Sequence, residues 1–192
     1  RMPTLSGMRE RGYPAEAIRD FCSRIGVAKA NSVVDIALLD HCVRENLNEN
    51  ATRAMAVLKP LKLVIENYPE GATETVEIEN NPNKEDAGTH TATFSRELFI
   101  EESDFSLNPP AKYFRLKPGG MVRLKGSYIV EYAGCDVDEN GNVKEVRCKY
   151  IEDSKSGGAN AGIKVKGVIH WVNANDCVDV TVNRFDYLIN DV

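Results

Sequence analysis

Long apolar runs are missing from this 192-residue chain. None approaches the ~18–20 residues of a membrane-spanning helix, and the first residues show no basic-then-apolar leader. Cysteine is sparse and irregular: Cys22, Cys42, Cys135, Cys148 and Cys177 make an odd count of five with no CxxC pair. That argues against a disulfide framework and a zinc site, and predicts a reducing, cytosolic compartment. The three histidines, His41, His90 and His170, lie far apart with neither HxH nor HExxH spacing, so each reads as a packing or surface residue. No GxSxG elbow is present, and no cysteine sits in a nucleophile motif. The glycine-rich run Ser156–Gly162 lacks the Gly-Lys-Ser/Thr ending of a phosphate loop and precedes a strand candidate, so it reads as a flexible connector. Carboxylates are abundant, yet Glu101–Asp104 and Asp136–Glu139 read as solvated turns. Nothing here assembles a catalytic site.

What is present suits a folded domain. Hydrophobic content of 42% beside 28% charged residues is ordinary for a soluble globular chain. The first fifty residues read as helical. In PAEAIRDFCSRIG, Pro14 suits a first helical position and Gly26 a stop, with Ile18, Phe21, Cys22 and Ile25 forming one apolar stripe. A second helix is expected from Ser32, with Asp35 three residues on, running to Leu47–Asn50. From about Ala51 the apolar period shortens to two. Strand candidates follow at Leu61–Ile65, Thr73–Ile78, Thr91–Phe94, Leu98–Ile100, Met121–Tyr132, Val143–Ile151, Ile163–Val172 and Val178–Phe185. Asn140-Gly141 marks a tight hairpin turn. Many short strands at this spacing indicate an all-β barrel or sandwich, and the expected class is α+β, mainly β: a helical region over residues 1–50, then antiparallel β-barrel over residues 51–192.

A formal net charge of −5 excludes bulk attraction to nucleic acid, so any such binding must be local. One stretch qualifies. Asn108–Val130, NPPAKYFRLKPGGMVRLKGSYIV, carries Lys112, Arg115, Lys117, Arg123 and Lys125 and no carboxylate, with Tyr113, Phe114 and Tyr128 between them. Cations neutralise phosphate, while arginine forks and exposed rings read unstacked bases. If Met121–Tyr132 is one strand, Arg123, Lys125 and Ser127 share a face, and Arg115 joins them across the Pro118-Gly119-Gly120 turn. The plainer alternative is a solvated hairpin whose lysines guard an edge.

Longer motifs are more specific. RMPTLSG at the start, RGYPAEAIRDFCSRIGVAK (Arg11–Lys29), NLNENATRAMAV (Asn46–Val57) with LKPLKLVIENYPEG after it, NPNK (Asn81–Lys84), YFRLKPGGMVRLKGSYIV and KVKGVIHWV (Lys164–Val172) follow one another along nearly the whole chain. Together they resemble the glutaminyl-tRNA synthetases, which are class I aminoacyl-tRNA synthetases. Glutamyl-tRNA synthetases of eukaryotic and archaeal type share the architecture, but NENATRAMAV and HWV are closer to the glutaminyl branch. The resemblance implies a C-terminal portion: a helical connector along the inside of the tRNA's L, then two β-barrels, the first incomplete, that grip the anticodon loop. It places ATP, magnesium and adenylate formation in a separate catalytic domain of the parent, whose HIGH and KMSKS signatures this sequence lacks. The chain itself is expected to need no cofactor and to be inactive alone. The implied partners are tRNA-Gln and that catalytic domain, with neither membrane nor DNA.

The resemblance also assigns residues. Arg53 matches an arginine on the middle anticodon base, Arg115 one on the third base and Arg123 one on the first. Lys125 stands where arginine is common, keeping charge without the bidentate fork. Phe114 stands where the family has lysine, which exchanges a charged contact for stacking. Lys112 replaces a polar residue, and Lys29 matches a connector lysine near the inner elbow of the tRNA. The rival from another class is a β-barrel that docks an acidic protein partner on its basic hairpin.

Overall fold

The computed structural model describes residues 4–185. The chain divides into two compact units: one is the segment up to Arg53 with Glu79–Gly88, the other Ala54–Ile78 with the segment from Thr89 onward.

Helices dominate the first unit. Helix α1 (Leu5–Glu10) opens at Thr4, whose hydroxyl accepts from the Gly7 N–H. Helix α2 (Ala15–Ile25) follows Pro14 and stops at Gly26, which takes φ +67°. Its buried residue is Ala17, whereas Cys22 and Ile25 of the expected stripe are exposed, so the contact face is rotated and narrower than the periodicity suggested. A small residue at the contact lets helices approach closely, and larger apolar neighbours are then left at the rim. Helix α3 (Ile36–Asn50) begins later than Ser32, because the Asp35 carboxylate accepts from the Ala37 N–H at 2.9 Å and caps the helix there. Val33, outside it, is fully exposed, so no buried face rewards an earlier start. Leu39 and Cys42 supply the buried face of α3, and Arg24 of α2 joins Glu45 of α3 at 2.6 Å.

The second unit is built on strands. In chain order they are β1 (Pro60–Ile65), β2 (Thr73–Glu79), β3 (Thr89–Ser95), β4 (Glu97–Glu101), β5 (Met121–Leu124), β6 (Ile129–Val137), β7 (Val143–Tyr150), β8 (Val168–Ile169) and β9 (Val172–Asn173). Strands β2 and β3 form a two-stranded ribbon, while the rest form one sheet ordered β8-β5-β6-β7-β1-β4-β9. The two edge strands are separated in sequence only by His170 and Trp171, so the sheet must curl until its edges nearly meet. The result is a half-barrel. It is not purely antiparallel: β1 pairs parallel with β7, and β5 with β8. Hairpins impose antiparallel neighbours, but curling brings together strands distant in sequence, whose direction no tight turn dictates.

Alternation fills the interior. Leu61, Leu63 and Ile65 of β1, Leu98 and Ile100 of β4, and Val122 and Leu124 of β5 all point inward, beside Phe94, Val146, Ile169 and Trp171. Each such side chain contributes roughly 1.5–3 kcal/mol by leaving water. Burial also pushes the Cys148 thiol up to about 12, which leaves it an inert apolar residue.

Two strand expectations change. The run Met121–Tyr132 is a hairpin: the Leu124 N–H donates to the Tyr128 carbonyl, and Gly126 turns the chain at φ +68°. Lys125 therefore sits in a turn, and Ser127 is buried instead of sharing a face with Arg123. A Cβ at Gly126 would also strike Ile78, so the turn packs tightly. The second change is at the C-terminal side. Ile163–Val172 reduces to the two short edge strands, and Val178–Phe185 lies outside any strand. The hairpin turn at Asp138–Asn142 forms, but only Gly141 takes positive φ, +82°: its N–H donates to the Asp138 carbonyl, so Glu139 and Asn140 are the central pair, and Asp138 Oδ1 accepts from the Asn140 and Asn142 N–H groups.

The loop 153–162 is held down at several points. Lys155 Nζ lies 2.6 Å from Glu74 Oε2, and the Tyr68 hydroxyl donates to the same carboxylate. Burial pushes the Glu74 carboxyl up, but hydrogen bonds from Lys155, Tyr128 and Tyr68 outweigh it and hold the net value below the ordinary range. A carboxyl lowered in the folded state stabilises above its unfolded value and loses that contribution as pH falls through the folded one. Urea stability of the chain should therefore drop as pH falls from roughly 5 toward 3, where unperturbed glutamate titrates. Glu74→Gln should shrink that drop; an unchanged pH profile would refute the assignment.

Candidate nucleic-acid interface

The basic stretch begins where the chain leaves β4. A 3-10 turn, Glu102–Asp104, is followed by Phe105, which bridges to Leu116. The Leu116 N–H donates to the Asp104 carbonyl and the Ser106 N–H to the Leu116 carbonyl, so Arg115 is fixed beside Asp104. Its guanidinium pairs with the Asp104 carboxylate. Asp104 is fully buried, contrary to its reading as part of a solvated turn, and among the described residues no other donor answers that carboxylate. A buried carboxylate stays charged only when paired, so it holds Arg115 in place. The side chain of Arg115 is nevertheless 51% exposed, leaving part of the fork facing solvent.

Arg115 does not sit on a strand paired with β5. It belongs to a separate arm across Pro118-Gly119-Gly120. The same arm carries Tyr113, whose hydroxyl donates to the Ser103 carbonyl at 2.9 Å and whose pKa burial raises. Lys112 takes φ +64°, a left-handed conformation unusual for a residue with a side chain. Phe114 is 51% exposed, large for an apolar ring. Lys112, Phe114, Arg115 and Lys117 line one pocket of about 330 Å³, and Lys164 and Lys166 line it too.

Arg123 and Lys125 do not line that pocket. The Arg123 guanidinium donates to the Ser154 carbonyl at 2.6 Å, the Ala161 carbonyl at 3.1 Å and the Ser127 carbonyl at 3.4 Å, tying the loop 153–162 to β5. Those bonds use three of its five N–H donors. The backbone of Lys125 is engaged on both sides: its N–H donates to Ile169, and its carbonyl accepts from the Trp171 indole at 3.0 Å.

Arg53 and Lys29 belong to the helical unit. The Arg53 guanidinium donates to the Asn48 carbonyl at the C-terminal end of α3, and its N–H to the Asn80 carbonyl. Asn81, buried to 4% exposure, donates to the carbonyls of Asn48, Glu49 and Ala51 and so answers two of the carbonyls left unpaired at the end of α3. Lys29 is exposed in the bend between α2 and α3. The residue reading missed Asp104, Asn81, Lys164 and Lys166. For the two lysines a signal existed, because the period-two alternation of KVKGV puts both on one side of an extended segment. Asp104 and Asn81 carried none, since only burial sets them apart from surface polar residues.

A sequence profile of the tRNA synthetases class I (E and Q) anti-codon binding domain matches residues 51–151, just over half of the chain. The chain belongs to this family. The matched span includes Arg53, the basic arm, β5 and the β6–β7 hairpin, while Lys164 and Lys166 lie beyond it. The chain is 56% identical over 191 residues to a glutamine–tRNA ligase of Clostridium perfringens, an alignment covering 100% of the chain and 35% of that relative. It is 56% identical over 174 residues to one of Bradyrhizobium diazoefficiens, covering 91% and 31%. A third, of Rhodopirellula baltica, is 52% identical over 188 residues, covering 98% and 31%. The chain thus spans about a third of the length of the curated relatives it matches.

Proposed function

We propose that the chain is the anticodon-binding part of a glutamine–tRNA ligase, recognising tRNA-Gln so that a catalytic domain of the same parent can attach glutamine. The observation that carries this is the pocket on the basic arm, which Lys112, Arg115 and Lys117 line together with the exposed Phe114 inside the span matching the anticodon-binding family. Cations gathered around an exposed ring suit a splayed nucleotide: the ring stacks the base and the charges meet its phosphates. In this reading Arg115 and Arg53 contact bases, each already braced by a partner, Asp104 or the Asn48 carbonyl. Arg123 contributes through the donors its loop carbonyls leave free, Lys112 and Lys125 neutralise backbone, and Lys29 meets the tRNA from a helical connector over residues 1–50. In this reading the barrel region begins near residue 51.

ATP with magnesium belongs to the catalytic domain of the parent in this reading. Among the described residues no group of three or more His, Cys, Asp or Glu is placed to hold a metal ion. No helix among the described residues is long and apolar enough to cross a membrane. A cytoplasmic site of action accords with the five free cysteines.

The test is binding of the chain to a tRNA-Gln anticodon stem-loop and to one with the middle base changed, across a salt series. Tighter binding to the matched loop, by about 5–100-fold and weakening steeply with salt, is expected. Equal binding to both loops and to an acidic polypeptide would overturn the reading in favour of a protein-docking barrel.

A further inference from the structure

The pocket on Phe114 has a second wall that the anticodon residues do not account for. Along residues 164–168 exposure alternates: Lys164, Lys166 and Val168 face out, while Gly167 is buried between them. A Cβ built on Gly167 would overlap the Phe114 carbonyl oxygen, so only glycine lets this segment lie against the arm. The Arg123 N–H donates to the Gly167 carbonyl at 2.9 Å and fixes the segment to β5. Lys166 Nζ consequently stands over the Phe114 ring, 5.5 Å from its centroid, and Lys164 lines the same pocket. Five cations, Lys112, Arg115, Lys117, Lys164 and Lys166, thus line about 330 Å³ with no carboxylate among the lining residues. Arg115 already has its anion in Asp104, whereas the four lysines repel one another until an anion joins them. The volume is at the small end of the range for ligand sites, about 300–1,000 Å³.

We infer that Lys164 and Lys166 complete a one-nucleotide clamp, in which a single-stranded RNA base stacks on Phe114 and Lys166 takes the adjoining phosphate. This rests on the RNA-binding reading above and adds residues to it. In the free protein the ring holds Lys166 by cation–π attraction; phosphate, a stronger partner, draws the ammonium off the ring and frees that face for the base. Lys166 is therefore both placeholder and ligand.

The experiment compares the chain with Lys166→Gln, Lys166→Arg, Lys164→Gln and Phe114→Leu, using the matched anticodon stem-loop carrying a fluorescent base analogue at each loop position in turn. Lys166→Gln should weaken binding several-fold and reduce the log–log salt slope by about 0.7, the value for one phosphate contact on a single strand. Lys166→Arg should restore the slope. Phe114→Leu should weaken binding about tenfold with the slope unchanged, and should abolish the fluorescence change at one loop position only. Inorganic phosphate at matched ionic strength should not compete. An unaltered slope in Lys166→Gln, with the parent chain still binding RNA, overturns the clamp alone; failure of the parent chain to bind any stem-loop overturns the RNA reading and the clamp with it.

Discussion

Truncating Trp171 to alanine is expected to lower the unfolding free energy by about 3–5 kcal/mol, the usual cost of removing a large buried aromatic. Trp171 is fully buried in the two-residue link between β8 and β9, where the sheet's edges are tied together. It packs edge-on against Phe94, with ring centroids 5.1 Å apart, and its indole N–H donates to the Lys125 carbonyl. Alanine would leave a cavity on the Phe94 side and an unanswered carbonyl at the β5–β6 turn. Trp171→Phe should cost less, about 1–2 kcal/mol, because most apolar contact survives and chiefly the hydrogen bond goes. Urea unfolding followed by circular dichroism measures both, since the alanine variant loses the single tryptophan of the chain. A loss below about 1 kcal/mol for the alanine variant would mean that the half-barrel closes without this residue.

The second large effect concerns the Arg115–Asp104 pair. Arg115→Met should cost about 2–4 kcal/mol, somewhat under the range for breaking a fully buried pair, because the guanidinium is half exposed. The loss comes less from the missing attraction than from an unpaired carboxylate left in the interior. Replacing both residues, Arg115→Met with Asp104→Leu, should cost less than Arg115→Met alone, since no buried charge remains. A double-mutant cycle by urea unfolding should give a coupling of about 1.5 kcal/mol or more. Strict additivity would show that Asp104 finds another partner and that Arg115 is free to move.

The elements of the fold are of unequal legibility. The hairpin at Asn140-Gly141 was readable because positive φ in a tight turn is a local demand that few residue types meet. The core positions of β1 and β4 were readable from alternation. The start of α3 was not, since Ser32 and Asp35 both offer caps and only the unburied Val33 decides between them. Nor was the break at Gly126. There the apolar pattern continues through Leu124, Tyr128 and Ile129, and the turn is set by packing against Ile78.

By itself the sequence determined the family, the mainly β class, the helices at the start and the stretch where positive charge collects. These depend on residue type and spacing, which are local and additive. Only the tertiary structure decided which cations share a pocket. It moved Arg123 onto the carbonyls of a distant loop, placed Asp104 in the interior behind Arg115, and brought Lys166 over Phe114 through a contact only Gly167 permits. Each depends on burial, and most join segments far apart in the chain. No pattern along the sequence encodes that, because burial belongs to the curled sheet and not to any one strand of it.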